Sequence, residues 1–531
     1  MSGISRIRPR CSILIFALIY SIINLVLYNR PLIKYTLSQL DYTSFHGIYI
    51  LIEVISLQIL LPFLLVMVLA PIKVMIKPIC IIFFIINAIG CYFIDCYNVI
   101  LDKSMLGNIY STDINEAFAL YDPKLLIYIF LYGVIPGVVI ANIKLYPSAL
   151  LKRIWVSALS ITLVGVLVLS ASQTWLWFDK NFKIIGGLSM PMSYIVNSIR
   201  YFNASSSYPR VETKLPDTSF KNNNKTIVVL VIGESARRRN FALYGYTRDT
   251  NPYLKQDDVV AIQNVDACAT YTTKSIQCIL SHLKPNALWG NANTYEPLPT
   301  YIQRQNINVL WRSNNTGEPT LHVNEYEKAK TIKRSCHGSA CNQLAYDEVL
   351  LYQLKQKIQQ NLGNNYFVVL HQTGSHGPLY SQKYPEKFEK FQPTCQSVDL
   401  QKCTSEELMN AYDNTIVYTD YILHEVITTL SSFKNQSTVM LYLSDHGESL
   451  GESNFYLHGA PNSIAPSEQR EVPFIVWMSE RFKQEHHITN SDLSNVSNYS
   501  YNDIFYSVMG AFNMKSDFYN QHFDIFDRAL L

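Results

Sequence analysis

Three stretches of the chain run from a β-strand pattern straight into residues that ligate metals. TIVVLVIGES ends at Glu234, YFVVLHQTGSHG carries His371 and His376, and VMLYLSDHGES carries Asp445 and His446. In open α/β sheets, ligands collect beyond the carboxyl ends of the strands, so arrivals far apart in sequence can converge on one point. Carboxylate plus imidazole from Glu234, Asp445 and His446 suits zinc, with a further position left for a reacting oxygen. His458, in YLHGAP, follows Asp445 by thirteen residues and adds another group of the same chemistry. A lone Asp-His after a strand is more often a cap or an ion pair; three such clusters together point to a catalytic metal centre.

A nucleophile is the remaining requirement. CATYTTKSIQC sets Thr270, Thr272, Thr273 and Ser275 just ahead of IQCILSHL, an apolar helical pattern. Hydroxyls at a helix N-terminus meet free amides and a dipole that favour phosphate, and a bound cation makes a hydroxyl lose its proton more readily. Simple N-capping by one threonine is the plainer structural reading. Spacing alone does not choose among the four hydroxyls.

The elements that must position these groups follow from periodicity. From Lys225 onward, apolar strand runs alternate with helical stretches such as DEVLLYQLKQKIQQ and EELMNAYDNTIVYTDYILHEVITTL. This predicts an α/β domain with a mostly parallel central sheet over 221–531. Ahead of it lie nearly uncharged segments at about 12–28, 47–70, 79–101, 125–145 and 154–172, each long enough to cross ~30 Å of hydrocarbon. Residues 1–172 therefore read as an α-helical transmembrane domain of five spans, with no cleavable signal peptide expected. Residues 173–220, with Trp175, Trp177, Phe178 and Tyr201, read as an interfacial connector ending in the exposed linker SSSYPRVETKLPDTS, or else as an amphipathic helix of the soluble domain.

Charge and cysteine usage bear on topology. Arg6, Arg8 and Arg10 precede the first span, Lys73 and Lys77 follow the second, and Lys152 and Arg153 follow the fourth, which assigns those ends to the cytoplasm and exports the α/β domain. The net charge of +3 over 531 residues is too small to argue for a nucleic-acid partner. Of ten cysteines, Cys11, Cys80, Cys91 and Cys96 belong to the membrane region as small apolar residues. The close pairs Cys268/Cys278, Cys336/Cys341 and Cys395/Cys403 suit disulfides of an oxidising compartment. CHGSAC, with His337 inside it, has a zinc knuckle as its rival reading, but no second ligand pair of finger spacing accompanies it.

The runs GESARRRNFALYGYTRDTNP, CATYTTKSIQC, HQTGSHGP, NAYDNTIVYTDYIL and SDHGESLGESNFYLHGAP resemble the motifs of the membrane-bound phosphoethanolamine transferases, within the alkaline phosphatase and sulfatase superfamily. The resemblance spans essentially the whole chain. It implies a sulfatase-like catalytic domain in the bacterial periplasm, anchored in the inner membrane and acting as a monomer. It makes Thr272 the nucleophile and Glu234, Asp445 and His446, with Thr272, the ligands of one zinc site, a second zinc being an open question. Phosphatidylethanolamine is the implied donor, and a lipopolysaccharide component, lipid A or core, the implied acceptor. A lipid donor keeps its acyl chains in the bilayer, so an anchored enzyme avoids extracting an apolar tail into water.

His376 and His458 are then placed to donate hydrogen bonds, to protonate a leaving oxygen or to hold a second zinc. His371 reads either as a substrate contact or as a buried structural histidine. The loop NIYSTDINEA matches the family's substrate-contacting loop at Asn108, Thr112 and Glu116. Lipid A transferases show an asparagine followed four residues later by a lysine; WRSNNTGEP supplies Asn315 but has Pro319 in the lysine's place. Lys274 is the candidate replacement for that charge, and TLHVNEYEKAK favours a branch modifying core or another glycan. A phosphoglycerol transferase or ester hydrolase of the same superfamily, and a non-catalytic envelope binding protein, are the alternatives.

Overall fold

The computed structural model describes residues 9–530 apart from 42, 73, 113–116, 119, 147, 170–171, 207–211, 291–293, 337–340, 342–343, 453–454 and 497–498. The chain forms two compact units, Met1–Tyr110 with Tyr121–Ser207, and Ser111–Leu120 with Tyr208–Leu531.

The first unit is helical: α1 (Ile13–Tyr28), α2 (Arg30–Gln39), α3 (Phe45–Leu69), α4 (Ile76–Tyr97), α5 (Lys103–Ser111), α6 (Pro123–Asn142, with a π-helical stretch at Ile129–Val134), α7 (Leu150–Leu169), α8 (Ser172–Leu188) and α9 (Met192–Ser206). Among the described residues, four helices are long and apolar enough to span a membrane, and five if α1 and α2, bent by 64° about Asn29, count as one span. Pro31 at the start of α2 removes a backbone donor where the first helix would continue, which sets the break.

The stretch 173–220, read from sequence as connector and linker or else as an amphipathic helix, forms the helices α8 and α9 as far as Ser206. Polar side chains inside the bundle hold the turn between α8 and α9. Asn29 exchanges two hydrogen bonds with Met190, donating to its carbonyl at 3.1 Å and accepting from its amide at 3.0 Å. Ser189 donates to Gln58 Oε1 at 2.8 Å, and Tyr194 donates to Asn87 Oδ1 at 3.0 Å. In an apolar bundle such polar groups must find partners, and hydrogen bonds across helices supply them. Cys11, Cys80, Cys91 and Cys96 are buried thiols of this unit.

The second unit is built on a seven-stranded sheet. In chain order its strands are β1 (Thr226–Gly233), β2 (Val260–Ile262), β3 (Asn308–Ser313), β4 (Glu325–Lys328), β5 (Tyr366–His371), β6 (Ser437–Ser444) and β7 (Phe474–Met478), arranged β2-β7-β6-β1-β5-β3-β4. The run β6-β1-β5-β3-β4 is parallel throughout, and only β7 runs against its neighbours. Strand β1 is buried along all eight residues, as a central parallel strand covered on both faces must be. Its side chains alternate between two cores, Val228, Leu230 and Ile232 on one face and Ile227, Val229 and Val231 on the other. Each such aliphatic side chain contributes about 1.5–3 kcal/mol on burial.

Helix α10 (Thr272–Ile279) packs Ile276 and Ile279 on the first face; α11 (Ser405–Ser431) packs Tyr412, Ile416, Leu423 and Ile427 on the second. A capping box starts α11, with Thr404 and Glu407 each satisfying the other's backbone amide. Disulfides join Cys268 to Cys278, Cys336 to Cys341 and Cys395 to Cys403. The Cys336–Cys341 bond uses up the thiolates a zinc knuckle would need, and His337 lies outside the described residues.

Candidate active site

The register of β1 against β6 pairs Gly233 with Ser444, so the next residue on each strand, Glu234 and Asp445, leaves the sheet side by side. The Asp445 amide still donates to the Gly233 carbonyl at 2.9 Å. Ser235 follows in a left-handed conformation (φ 56°) that sends its amide to Asp445 Oδ1 at 3.1 Å and its hydroxyl to Glu234 Oε1 at 2.8 Å. Glu234, Asp445 and His446 are fully buried.

His446 Nδ1 lies 2.8 Å from the Gly447 carbonyl, which can only accept, so Nδ1 carries the proton and Nε2 offers a lone pair. That Nε2 faces Glu234 Oε1 at 3.2 Å, Asp445 Oδ2 at 3.3 Å and Thr272 Oγ1 at 3.4 Å. Asp445 Oδ2 has no hydrogen-bond partner although it is buried. Two carboxylate oxygens and an imidazole nitrogen thus converge, their ligand atoms all within 4.8 Å of one another. A set of acceptors this close fits a cation, and its N and O donors fit zinc.

Electrostatics agree. Burial, with the Glu234 charge beside it, pushes the Asp445 carboxyl well above the usual carboxylate range. Burial also works against ionised Glu234, but His446, His376 and His458 outweigh it and hold that group well below its ordinary value. The two carboxyls share one negative charge unless a cation is there to ionise both.

Of the four hydroxyls left open by the sequence, Thr272 alone reaches the cluster, donating to Glu234 Oε2 at 3.1 Å. Thr270 is turned to the Ala460 carbonyl at 2.5 Å and Ser275 to the Ala269 carbonyl at 3.0 Å. Thr272 is the first residue of α10, whose N-cap, Tyr271, gives no side-chain hydrogen bond, so it does not act as the cap. The Cys268–Cys278 bond ties the segment before Thr272 to the last turn of α10. Lys274 extends over the Tyr271 ring at 5.6 Å.

His376 and His458 form a second group with Glu234. Their rings are 5.3 Å apart, and that of His458 lies 4.3 Å from His446. His458 Nδ1 is 3.0 Å from Glu448 Oε2, which fixes the ring with Nδ1 turned away and Nε2 available. Glu448 is fully buried and accepts from the Tyr380 hydroxyl at 3.1 Å through its other oxygen. The loop carrying His376 is pinned by Asp347, which accepts from the amides of Thr373 and Gly374 at 3.0 and 2.9 Å. Gly374 (φ +51°) packs so closely that a Cβ there would lie 2.7 Å from the Glu234 carbonyl oxygen.

Asn315, expected to touch substrate, donates instead to Glu234 Oε2 at 2.7 Å and to the Gln372 carbonyl at 2.8 Å. Its amide is spent on orienting a cluster carboxylate. His371, the last residue of β5, is fully buried and faces Glu318 with Nδ1–Oε1 3.1 Å. Burial alone would favour the neutral forms, but the pair holds Glu318 down to about 2 and His371 above its ordinary value. Asn108 lies on α5 in the first unit and Thr112 just beyond it in the second; Glu116 lies outside the described residues. Sequence reading missed Glu448 as an orienting group, although it stands in the same SDHGES run as Asp445.

Comparison with known proteins gives this geometry its family. The sulfatase model matches residues 226–514, and the model described as phosphoethanolamine transferase EptA/EptB matches residues 59–206. Phosphoethanolamine transferase EptA of Helicobacter pylori is 41% identical over 93% of this chain and 92% of its own length. Phosphatidylethanolamine transferase Mcr-1 of Escherichia coli is 33% identical over 77% of this chain and 79% of its own. The solved integral membrane lipooligosaccharide phosphoethanolamine transferase A (EptA) of Neisseria meningitidis superposes with a TM-score of 0.87 at 26% identity, covering 98% of this chain and 99% of that one. With a helical membrane unit, a sulfatase-like sheet and this level of identity along both, the chain belongs to the EptA family of phosphoethanolamine transferases.

Proposed function

We propose that the chain transfers phosphoethanolamine from phosphatidylethanolamine to a lipopolysaccharide component, lipid A or a core sugar, through a covalent intermediate on Thr272. The observation that carries this reading is that, of the four hydroxyls in CATYTTKSIQC, Thr272 faces the cluster, with Oγ1 3.1 Å from Glu234 Oε2 and 3.4 Å from His446 Nε2. Residues 221–531 are the catalytic unit, exported to the periplasmic side of the inner membrane. Glu234, Asp445 and His446, with Thr272, would hold zinc, and Glu234 with His376 and His458 offers a place for a second ion. Bound there, zinc lowers the pKa of a coordinated hydroxyl and stabilises charge on phosphoryl oxygens.

The chain's own residues perform the rest. Thr272 Oγ1 hands its proton to Glu234 Oε2, its hydrogen-bond acceptor, and forms a bond to phosphorus as the bond from phosphorus to the glycerol oxygen breaks, releasing diacylglycerol. His376 or His458 supplies the proton that the leaving oxygen takes up, and Glu448 keeps the His458 ring turned to do so. An acceptor oxygen then attacks the phosphorus as the bond from phosphorus to Thr272 Oγ1 breaks; the same histidine removes the acceptor's proton, and Glu234 returns its proton to Thr272. Asn315 holds Glu234 in place through both steps.

Mass spectrometry of lipid A and core oligosaccharide, from cells expressing the wild type or Thr272→Ala, tests the reading. One phosphoethanolamine increment on either glycolipid, absent with the variant, is expected and names the acceptor. Unchanged glycolipids with continued consumption of phosphatidylethanolamine would leave an ester hydrolase in its place.

A further inference from the structure

One edge of the sheet carries positive charge that the reaction described so far does not use. Strand β4 is the outermost strand beside β3, and Lys328, its last residue, pairs in register with Ser313, which pairs with His371. Lys328 therefore stands near the carboxyl edge of the sheet, three strand spacings, or about 14 Å, from Ile232, two residues before Glu234. The chain continues directly into a short helix, Ala329–Ser335, with Lys330, Lys333 and Arg334 on it. All four basic residues are exposed.

Their neighbours do not neutralise them. The acidic residues of the same strand are engaged elsewhere: Glu327 pairs with Arg312 at 2.8 Å and with Lys357 at 3.2 Å, and Glu325 pairs with Lys357. Lys333 donates to the Ala345 carbonyl at 3.1 Å. No carboxylate among the described residues pairs with Lys328, Lys330 or Arg334. Basic residues in the last turn are favoured by the helix dipole, which accounts for Lys333 and Arg334 without any ligand. Lys328 at the N-cap and Lys330 in the first turn sit at the wrong end for that explanation.

On the strand itself, Tyr326 alternates with the paired glutamates and is 43% exposed, on the same face as Lys328. Between β3 and β4 runs the loop whose Gly317 packs over Thr272, a Cβ there falling 3.5 Å from Thr272 Cγ2. An exposed ring beside free lysines, continuous with the loop over the nucleophile, suits a sugar that bears anionic groups. Aromatic rings stack on sugar faces, and lysines take phosphate or carboxylate.

We propose that Tyr326, Lys328, Lys330 and Arg334 form a docking surface for the anionic sugar end of the acceptor glycolipid, holding it while one of its oxygens reaches Thr272. This inference rests on the transferase reading above. The ligand chemistry is a negatively charged sugar, and the charge has two sources, phosphates or sugar carboxylates.

The test uses the full-length enzyme in detergent micelles and the triple variant Lys328→Ala, Lys330→Ala, Arg334→Ala. Acceptors are bisphosphorylated lipid A, which has no carboxylates, and dephosphorylated lipid A carrying acidic core sugars, which has no phosphates. With donor alone, diacylglycerol release is expected to be the same in both proteins, because no changed residue touches the cluster. KM for the preferred acceptor should rise about tenfold with kcat within twofold, three exposed contacts summing to about one decade. Lys328→Arg with Lys330→Arg should restore KM, and the acceptor whose KM moves identifies the source of the charge. Binding of each acceptor is also measured directly on immobilised protein, without turnover. Equal KM and equal binding in wild type and triple variant would overturn the docking surface; a wild type that binds acceptor but transfers nothing to it would overturn the transferase reading instead.

Discussion

Asn315 Nδ2 donates to Glu234 Oε2 at 2.7 Å, and the same carboxylate oxygen accepts from Thr272 Oγ1 at 3.1 Å. One oxygen thus joins a loop after β3, a strand end and the first residue of α10. Asn315→Ala removes that donor, so Glu234 is expected to lose its fixed orientation. Metal affinity or activity should fall by about 10–100-fold, as for other groups that orient a ligand. Isothermal titration of zinc into stripped protein, beside turnover, checks this.

Glu448 is expected to matter through His458. Glu448→Gln keeps an oxygen able to accept from Nδ1–H but removes the charge that stabilises a protonated ring, so kcat should drop about 10–100-fold with donor KM nearly unchanged. Equal losses in kcat and affinity for the donor would place Glu448 in binding rather than in positioning.

Gly374→Ala introduces a Cβ 2.7 Å from the Glu234 carbonyl oxygen, at a φ of +51° that side chains rarely adopt. The backbone must shift, at a cost of about 1–3 kcal/mol, and the shift moves Glu234. A lower Tm together with weaker zinc binding is expected.

The Glu318–His371 pair gives a pH dependence whose sign is fixed. Glu318 is held down to about 2, so its contribution is present above the ordinary glutamate range, about 4.3, and is lost as pH falls toward 2. His371 is raised, so its contribution is present below the ordinary histidine value, about 6.5, and is lost as pH rises through its folded value. The stabilisation from the pair is therefore greatest at about pH 5–6. Glu318→Gln should lower Tm most in that window, by an amount corresponding to about 3–5 kcal/mol for breaking a buried pair, and less at either extreme.

Much of this site was legible in the sequence because β1, β5 and β6 are continuous apolar runs ending in ligand residues, and parallel strands bring their carboxyl ends together. That argument located Glu234, Asp445, His446, His376 and His458 on one edge. It could not choose among four hydroxyls, because which of them faces the cluster depends on where α10 starts, and that is set by packing of Ile276 and Ile279. Asn315 and Glu448 were obscured for a related reason: their partners, Glu234 and His458, lie 81 and 10 residues away and are met only through the sheet register and a loop. In the first unit, apolar runs marked the spans, whereas 173–206 read either as a connector or as an amphipathic helix, because the partners that fix its helices, Asn29, Gln58 and Asn87, are on other helices.

The central claim is that the Thr272 oxygen carries the phosphoethanolamine between donor and acceptor. Intact enzyme incubated with phosphatidylethanolamine alone, quenched and digested, is analysed by tandem mass spectrometry. The account predicts one phosphoethanolamine on the peptide containing Thr272, mapped to that residue and absent when the protein is first stripped of metal with a chelator. Full turnover by Thr272→Ala, or the group mapped to a different residue, would contradict it.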